Sequence, residues 1–444
     1  MIRSQRYWNP AVETMPHSEI RRLQLRKFQR IFKWTYDNSR FHRRLYDQAG
    51  VRPSDIHSFD DIRRIPCVEK SMMRSVQRKD PFPYGDPLAV PLEEVVEFRQ
   101  TSGTTGQPVY QADTWQDWEW WAESWAYIMW AQGYRPKDRV FLPFGYNVFV
   151  AFWAAHYATE KLGAEIVPGG VLDTQARILK IQELQATAMM ATPTYVLSMA
   201  DTARQKMGID PRELGIQRIT CAGEPGASIP STKQRMEEAW NAKVYDHAGA
   251  TEIGAWCYEC EEQSGGLHVN EAFFLVEIQD IETGEYIVEP GRRGKMIITA
   301  LDRIGQPCVR FDSKDVIEWQ EESCPCGRTF RLIKGGVIGR ADDITKVKGV
   351  LLSPSAIEEV VRGVDGLGDE FEIIVDKVGD IDRISLKVEI DKGKEDQRTA
   401  IETELKDQLR LKTNLRYKLE FHDYGTLPRY EVKAKRFKDL RKGH

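Results

Sequence analysis

The chain has 444 residues, with 63 Lys+Arg against 67 Asp+Glu and a formal net charge of −4. A hydrophobic fraction of 41% with 10% aromatics excludes wholesale disorder, because that much apolar area offsets chain entropy, and the length predicts two or three domains. The near-neutral balance argues against a nucleic-acid binder, no uncharged run reaches the roughly 20 residues of a membrane span, and Met1 to Tyr7 lack a signal-peptide core. A soluble, cytoplasmic, multi-domain protein is expected.

In chain order, Ile20, Leu23, Leu25, Phe28, Ile31, Phe32 and Tyr36 recur at helical spacing and predict an amphipathic helix pair over 17–50. Six tryptophans between 115 and 130, with acidic residues and no Gly or Pro, predict a long helix. Its aromatic face reads as a substrate box or as packing, and packing is the commoner use of Trp. Strands at 140–143, 164–168, 187–192 and 218–222 then alternate with helices at 150–162, 174–184 and 193–207. Such βα repetition implies a parallel sheet covered by helices. Beyond 266, strands at 275–280, 295–300 and 316–320 with a turn at Thr283 and Gly284 read as an antiparallel β-subdomain. A polar stretch over 339–343 leads into a short β/α mixture. Its helix opens at Ser353 and Pro354, strands fall at 370–375 and 384–390, a charged helix covers 396–413, and the tail over 428–444 is basic.

The most informative string is Arg99-Gln100-Thr101-Ser102-Gly103-Thr104-Thr105-Gly106-Gln107-Pro108. Its glycines let backbone approach a phosphate and its hydroxyls can donate to phosphate oxygens. It carries no lysine of its own, so a bound phosphate needs Mg²⁺ or a distant cation. Downstream come Ala222-Gly223-Glu224-Pro225, Ala248-Gly249-Ala250-Thr251-Glu252, Arg310-Phe311-Asp312-Ser313-Lys314-Asp315, Gly339-Arg340-Ala341-Asp342-Asp343, and Glu431-Val432-Lys433-Ala434-Lys435-Arg436. Together and in this order they resemble the signatures of the adenylate-forming superfamily of acyl-CoA synthetases, adenylation domains and luciferases. The phrases His156-Tyr157-Ala158-Thr159-Glu160-Lys161-Leu162-Gly163-Ala164 and Ser353-Pro354-Ser355-Ala356-Ile357-Glu358 resemble its phenylacetate-CoA ligase branch.

The resemblance implies an α/β fold. A large N-terminal domain over 1–339 would hold parallel α/β sheets plus the β-subdomain, and a small mobile α+β domain over 340–444 would act as a lid hinged at Asp342. It implies an AMP-forming ligase using a small carboxylic acid, ATP, Mg²⁺ and coenzyme A, with a homodimer as a candidate assembly. Ser102, Gly103, Thr104, Thr105 and Gly106 would hold phosphate, and Gly223, Glu224, Pro225, Asp246 and His247 the adenine side. Thr251 would meet the α-phosphate, Glu252 the Mg²⁺, and Asp315 the ribose with Arg340 nearby. Lys433 would bridge phosphate and carboxylate, while Lys348 and Gly349 would line the coenzyme A channel. Tyr146 and Tyr195 would line an acid pocket suited to an aryl acid or to a compact hydroxy or branched aliphatic one. Two departures stand out: Ala248 replaces the usual aromatic, leaving Tyr245 and His247 as candidates to stack on adenine, and Val432 replaces a glycine before Lys433. A related chemistry, passing the acyl group to an amine or carrier protein, stays open.

Of seven cysteines, Cys67, Cys221 and Cys308 are scattered, whereas Cys257/Cys260 and Cys324/Cys326 are paired. Without an export signal, paired thiols read first as metal ligands, and with His268 they offer five ligands for tetrahedral Zn²⁺. Phenylacetate-ligase-like sequences pair Glu-Cys…His with Cys-x-Cys-Gly-Arg, which selects Cys260, His268, Cys324 and Cys326 as a closed structural site. Cys257 in place of His268 is the rival set.

Overall fold

The computed structural model describes residues 6–101, 107–341, 345–347, 350–352, 354–378, 381–429 and 436–441. Ser102 to Gly106, Asp342, Lys348, Gly349 and Lys433 lie outside the described residues.

The N-terminal region is helical: α1 (Pro10–Glu13), α2 (His17–Asn38), α3 (Arg40–Gln48), α4 (Phe59–Arg63) and α5 (Lys70–Val76). The expected helix pair is α2 and α3, separated at Ser39, whose hydroxyl accepts from the His42 amide as an N-cap. A hairpin of β1 (Glu97–Gln100) and β2 (Tyr110–Asp113) brackets the phosphate-loop sequence. The tryptophan helix follows as α6 (Trp115–Ala131), opened by a capping box between Thr114 and Asp117. Trp118, Trp120, Trp121, Trp125 and Trp130 are all buried in the main core, so the aromatic face is packing.

The βα run is β3 (Arg139–Leu142), α7 (Ala151–Leu162), β4 (Glu165–Pro168), α8 (Thr174–Leu184), β5 (Ala188–Ala191), α9 (Pro193–Thr202), β6 (Arg218–Cys221), α10 (Pro230–Trp240) and β7 (Lys243–Ala250). Then come β8 (Gly254–Tyr258), β9 (Gly266–Val269), β10 (Phe274–Gln279), β11 (Tyr286–Ile287), β12 (Arg293–Ala300), β13 (Phe311–Glu318), β14 (Leu332–Lys334) and β15 (Gly339–Arg340). One eight-stranded sheet has the order β14-β9-β8-β7-β6-β5-β3-β4. It is parallel from β4 to β7 and antiparallel from β7 to β14. The β-subdomain is a five-stranded antiparallel sheet, β11-β10-β12-β13-β15. Two apolar cores flank the large sheet, one rich in tryptophan and one under α8, α9 and α10.

The last portion has its own core and its own mixed sheet. A hairpin of β16 (Thr345–Val347) and β17 (Val350–Leu352) precedes α11 (Pro354–Gly363), β18 (Leu367–Val378), β19 (Ile381–Ile390), α12 (Arg398–Thr413), β20 (Lys418–His422) and β21 (Phe437–Asp439). It meets the large lobe through polar groups: Arg235 with Asp369 at 2.7 Å, Tyr424 donating to Asp201 at 3.1 Å, and Arg436 donating to Thr194 at 3.3 Å. A polar interface of this kind is what two bodies that move against each other share. Among the described residues, no helix is long and apolar enough to cross a membrane.

Candidate active site and metal centre

β7 carries the site along its length. Its residues alternate, so Asp246 and His247 face opposite sides of the sheet. His247 is enclosed: its Nδ1 lies 2.9 Å from the Cys257 carbonyl and its ring meets Trp125 edge-on at 4.2 Å. Burial pulls it down to about 4, so it stays neutral. The ring is thus held between Trp125 and the Cys257 carbonyl. Tyr245, on the same side of the strand, is 4% exposed and equally committed to the core. Asp246 is buried beside Glu259, and burial, then that second carboxylate, raises it to about 7. Lys233 holds Glu259 at 2.6 Å. Gly336, at φ +76°, passes so close that a Cβ there would touch Asp246, Leu267 and Ser228.

After β7 the chain turns at Thr251 and Glu252. Thr251 is anchored from below, because the Arg303 guanidinium donates to its carbonyl at 2.8 Å and pairs with Asp113 at 2.6 Å, both charges fully buried. Glu252 is buried and faces the Lys70 ammonium, 2.8 Å from Oε1. The approach lies off the axis of a hydrogen bond, so that buried oxygen has no hydrogen-bond partner among the described residues. An uncommitted, buried carboxylate oxygen is the ligand a hard cation such as Mg²⁺ takes, and the residues fit it.

Asp315 lies on β13 directly opposite Arg340 on β15, with the charges 3.7 Å apart. Arg340 also donates to the Ser313 carbonyl at 3.2 Å. Gly223 and Pro225 are exposed at the end of β6. Glu224 accepts from the Thr194 amide at 2.8 Å, tying this loop to the start of α9. Gly223 has φ +94°, a conformation that favours glycine.

The two tyrosines of the expected acid pocket belong to different neighbourhoods. Tyr146 lies 2.6 Å from His156 Nδ1, whose Nε2 is 3.3 Å from Glu160. The Tyr146 hydroxyl donates to Nδ1 in the tautomer that leaves this nitrogen unprotonated. Trp153 meets the Tyr146 ring edge-on at 4.8 Å, and the buried Arg99 guanidinium stacks between Trp153 and Trp118. Tyr195 instead lies in the second core, its hydroxyl accepting from Arg177 at 2.6 Å. Arg177 also donates to the carbonyls of Gly169 and Gly170, and Gly170 packs on Gly145. Arg177 and Gly170 thus link Tyr195 to the Tyr146 loop.

The metal-type cluster is the tightest constellation. One ligand atom each from Cys260, His268, Cys324 and Cys326 falls within 4.8 Å of every other, and all four residues are buried. Cys260 Sγ and Cys324 Sγ are 3.5 Å apart, and His268 Nε2 is 3.4 Å from Cys326 Sγ. Tetrahedral zinc with thiolate bonds of about 2.3 Å separates sulfurs by roughly 3.8 Å. His268 Nδ1 lies 3.3 Å from the Phe330 carbonyl, which leaves Nε2 for a metal. His268 sits on β9 between β8 and β14, Cys260 just follows β8, and the cysteine pair turns the chain into β14. Cys257 lies within β8, one residue before Tyr258 and hence on the other face. The N-terminus seals the cluster: Tyr7 donates to the Cys326 carbonyl at 2.8 Å, and Arg328 pairs with buried Glu13 at 2.6 Å.

Lys70, Arg303 and Arg99 pack around these groups, and the sequence reading gave none of them a role of its own. A basic residue just ahead of the hydroxyl-rich loop was a visible signal for Arg99. Nothing local marked Lys70 or Arg303, since both act through contacts distant in sequence.

A fold with this parallel sheet, a glycine- and hydroxyl-rich loop ahead of it and a separate C-terminal body defines a nucleotide-activating class. The chain belongs to the AMP-binding enzyme family: the family pattern "AMP-binding enzyme" matches residues 62–300, and "AMP-binding enzyme C-terminal domain" matches 349–441. It is 32% identical to the phenylacetate-coenzyme A ligase of Thermus thermophilus, over 86% of this chain and 84% of that one. It is 29% identical to the ligase of the same name from Escherichia coli K12, over 97% of both. Among solved structures, a 2-hydroxyisobutyryl-CoA ligase in the postadenylation state with R3-HIB-AMP is 30% identical. It overlays with a TM-score of 0.92, over 98% of this chain and 92% of that one. The same ligase with 2-HIB-AMP and CoA in the thioesterification state overlays at 0.75, at 30% identity over 99% and 94%.

Proposed function

We propose that the protein is an AMP-forming carboxylate–CoA ligase for a small acid, with aryl and arylacetic acids as its class. The carboxylate oxygen bonds to the α-phosphorus of ATP as the α–β bond breaks and pyrophosphate leaves. The thiol of coenzyme A, losing its proton, then bonds to the acyl carbon and AMP leaves. The observation that carries this reading is the buried Glu252 carboxylate, set beside Thr251 at the end of β7, whose Oε1 faces a lysine ammonium and accepts no hydrogen bond among the described residues. Mg²⁺ bound there supplies charge neutralisation when an anion approaches an anion. Thr251, held by Arg303, presents its hydroxyl toward the α-phosphate, and Asp315 accepts from the ribose hydroxyls. Lys433 brings the bridging cation, and Ser102 to Gly106 cradle the phosphates. Residues 340–444 form the lid, which turns about Asp342 and brings Lys348 and Gly349 to the coenzyme A channel. The better overlap with the postadenylation state supports reading the present arrangement as the adenylate-side one. The aromatic surroundings of Tyr146 support an aryl acid.

Zn²⁺ bound by Cys260, His268, Cys324 and Cys326 has no open position, so its role is to hold β8, β9 and the turn into β14 together. Metal analysis of purified protein tests it: one equivalent per chain is expected, and less than about half an equivalent rejects it.

The function is tested by pyrophosphate release with phenylacetate, benzoates, 2-hydroxyisobutyrate and short aliphatic acids, with the CoA thioester identified as product. An aryl acid that gives both supports the proposal. Preference for 2-hydroxyisobutyrate would move the substrate to the hydroxy-aliphatic class. Adenylate without thioester would move the second step to an amine or a carrier protein.

A further inference from the structure

The hydroxyl-rich loop has no lysine within it, yet the fold brings one to its neighbourhood from an unrelated segment. Lys70 is the first residue of α5, and its Nζ stands 2.8 Å from Glu252 Oε1. The residues just before it are stitched to the ribose strand. Val68 donates to the Arg310 carbonyl at 3.0 Å and accepts from the Asp312 amide at 2.9 Å, and Glu69 pairs with Lys314 at 2.9 Å. One helical turn beyond Lys70, Arg74 donates to the Gln107 carbonyl at 2.7 Å, at the downstream end of the phosphate loop. α5 is thus clamped at both ends, between the Asp315 strand and that loop, with Lys70 turned to Glu252.

Two features separate this pair from an ordinary structural ion pair. The Lys70 side chain is 38% exposed, and an ion pair open to solvent adds little stability. Glu252 Oε1 has no hydrogen bond despite the short distance, so the contact is that of two charges and not of a locked donor and acceptor. A flexible ammonium beside an uncommitted carboxylate is free to change partner.

We propose that Lys70 is a positioning residue of the nucleotide site. Its ammonium is the resident counter-cation of Glu252, and it passes to the polyphosphate when a divalent cation takes that carboxylate. The proposal rests on the ligase reading above. In the empty site the lysine stands against the buried carboxylate and holds it in place. On loading, the divalent ion displaces it from Glu252, and the freed ammonium meets phosphate oxygens arriving from the loop side.

The test uses equilibrium binding without turnover on the full chain, comparing wild type, Lys70→Met and Lys70→Arg. Non-hydrolysable α,β-methylene-ATP is titrated with and without Mg²⁺, and Mn²⁺ alone is titrated by electron paramagnetic resonance. In Lys70→Met, analogue affinity should fall about tenfold or more, as for loss of a charge-assisted contact, while Mn²⁺ alone should bind at least about threefold more tightly because its competitor is gone. Lys70→Arg should recover most of the analogue affinity. A merely structural lysine would not move these two affinities in opposite directions. Unchanged analogue affinity, or loosened Mn²⁺ binding, in a Lys70→Met protein with wild-type thermal unfolding overturns the role of Lys70 alone. Wild-type protein that binds no analogue overturns the ligase reading and this proposal with it.

Discussion

Two sites hang from neighbouring strands of one sheet and are built on opposite rules. At the cysteine cluster four ligands already converge, every residue is buried, and the outer shell (the Phe330 carbonyl, Arg328 and Tyr7) is in place. At Glu252 a buried oxygen accepts no hydrogen bond among the described residues, a half-exposed lysine pairs with it, and the arginine that fixes the turn sits behind. The first arrangement is closed and suits a staple; the second keeps a position open and suits exchange of ligands. The strand register sorts the thiols between them, since Cys257 is excluded from the cluster by one residue of alternation.

The largest effect should come from opening the closed site. Cys324→Ser is expected to lose the metal and lower the unfolding temperature by about 5 °C or more, whereas Cys257→Ser should keep the metal and cost under about 1 kcal/mol. Equal behaviour of the two in calorimetry and metal analysis would erase the contrast. Next, Arg303→Met leaves Asp113 charged and unpaired in the core, which should cost about 3–5 kcal/mol by denaturant unfolding and slow pyrophosphate release as Thr251 loses its anchor. Glu252→Gln should cut pyrophosphate release about a hundredfold, near 2.7 kcal/mol, with little change in unfolding temperature. A large loss of stability instead would mean that Glu252 is structural.

The buried Asp246 supplies a pH test. Its carboxyl is raised in the folded chain to about 7 by burial and then by Glu259, against about 3.9 when unfolded. The native state therefore holds the proton more tightly, so this residue's contribution to stability falls as pH rises from about 4 to about 7 and is flat above. Asp246→Asn should remove that fall, so the difference in unfolding temperature between variant and wild type should grow from pH 5 to pH 7.5. The smallest change is expected for Tyr146→Phe, which deletes one hydrogen bond to His156 and should raise the KM for the acid several-fold, near 1 kcal/mol, with kcat little changed.

Much of the large lobe was legible because its elements announce themselves locally. The strand expected at 218–222 is Arg218–Cys221, and the helix at 174–184 is Thr174–Leu184. β7 was not visible as a strand: Lys243, Asp246, Gly249 and the alanines around it break any apolar run, and its pairing with β6 and β8 supplies what propensity lacks. The expected helix over 193–207 ends at Thr202 and continues as one wider turn to Met207. Among candidate site residues, the paired thiols and His268 offered five ligands, the family resemblance selected four of them, and the structure gathers those four. The packing of His247 was not legible, because position on β7 alone does not reveal which face Trp125 covers.

The sequence by itself determined the class of chemistry. The identity and order of the Gly/Ser/Thr string, the Thr251-Glu252 pair, Asp315 in its motif and the paired cysteines are covalent facts that need no folding to read. Only the tertiary structure decided which cation stands before Glu252, which thiol is left out of the cluster, and that Tyr195 lies in the second core while Tyr146 packs against Trp153 and His156. The reason is that each of these depends on contacts between residues far apart in the chain, set by strand register and packing summed over the whole lobe, and no local window of residues contains that sum.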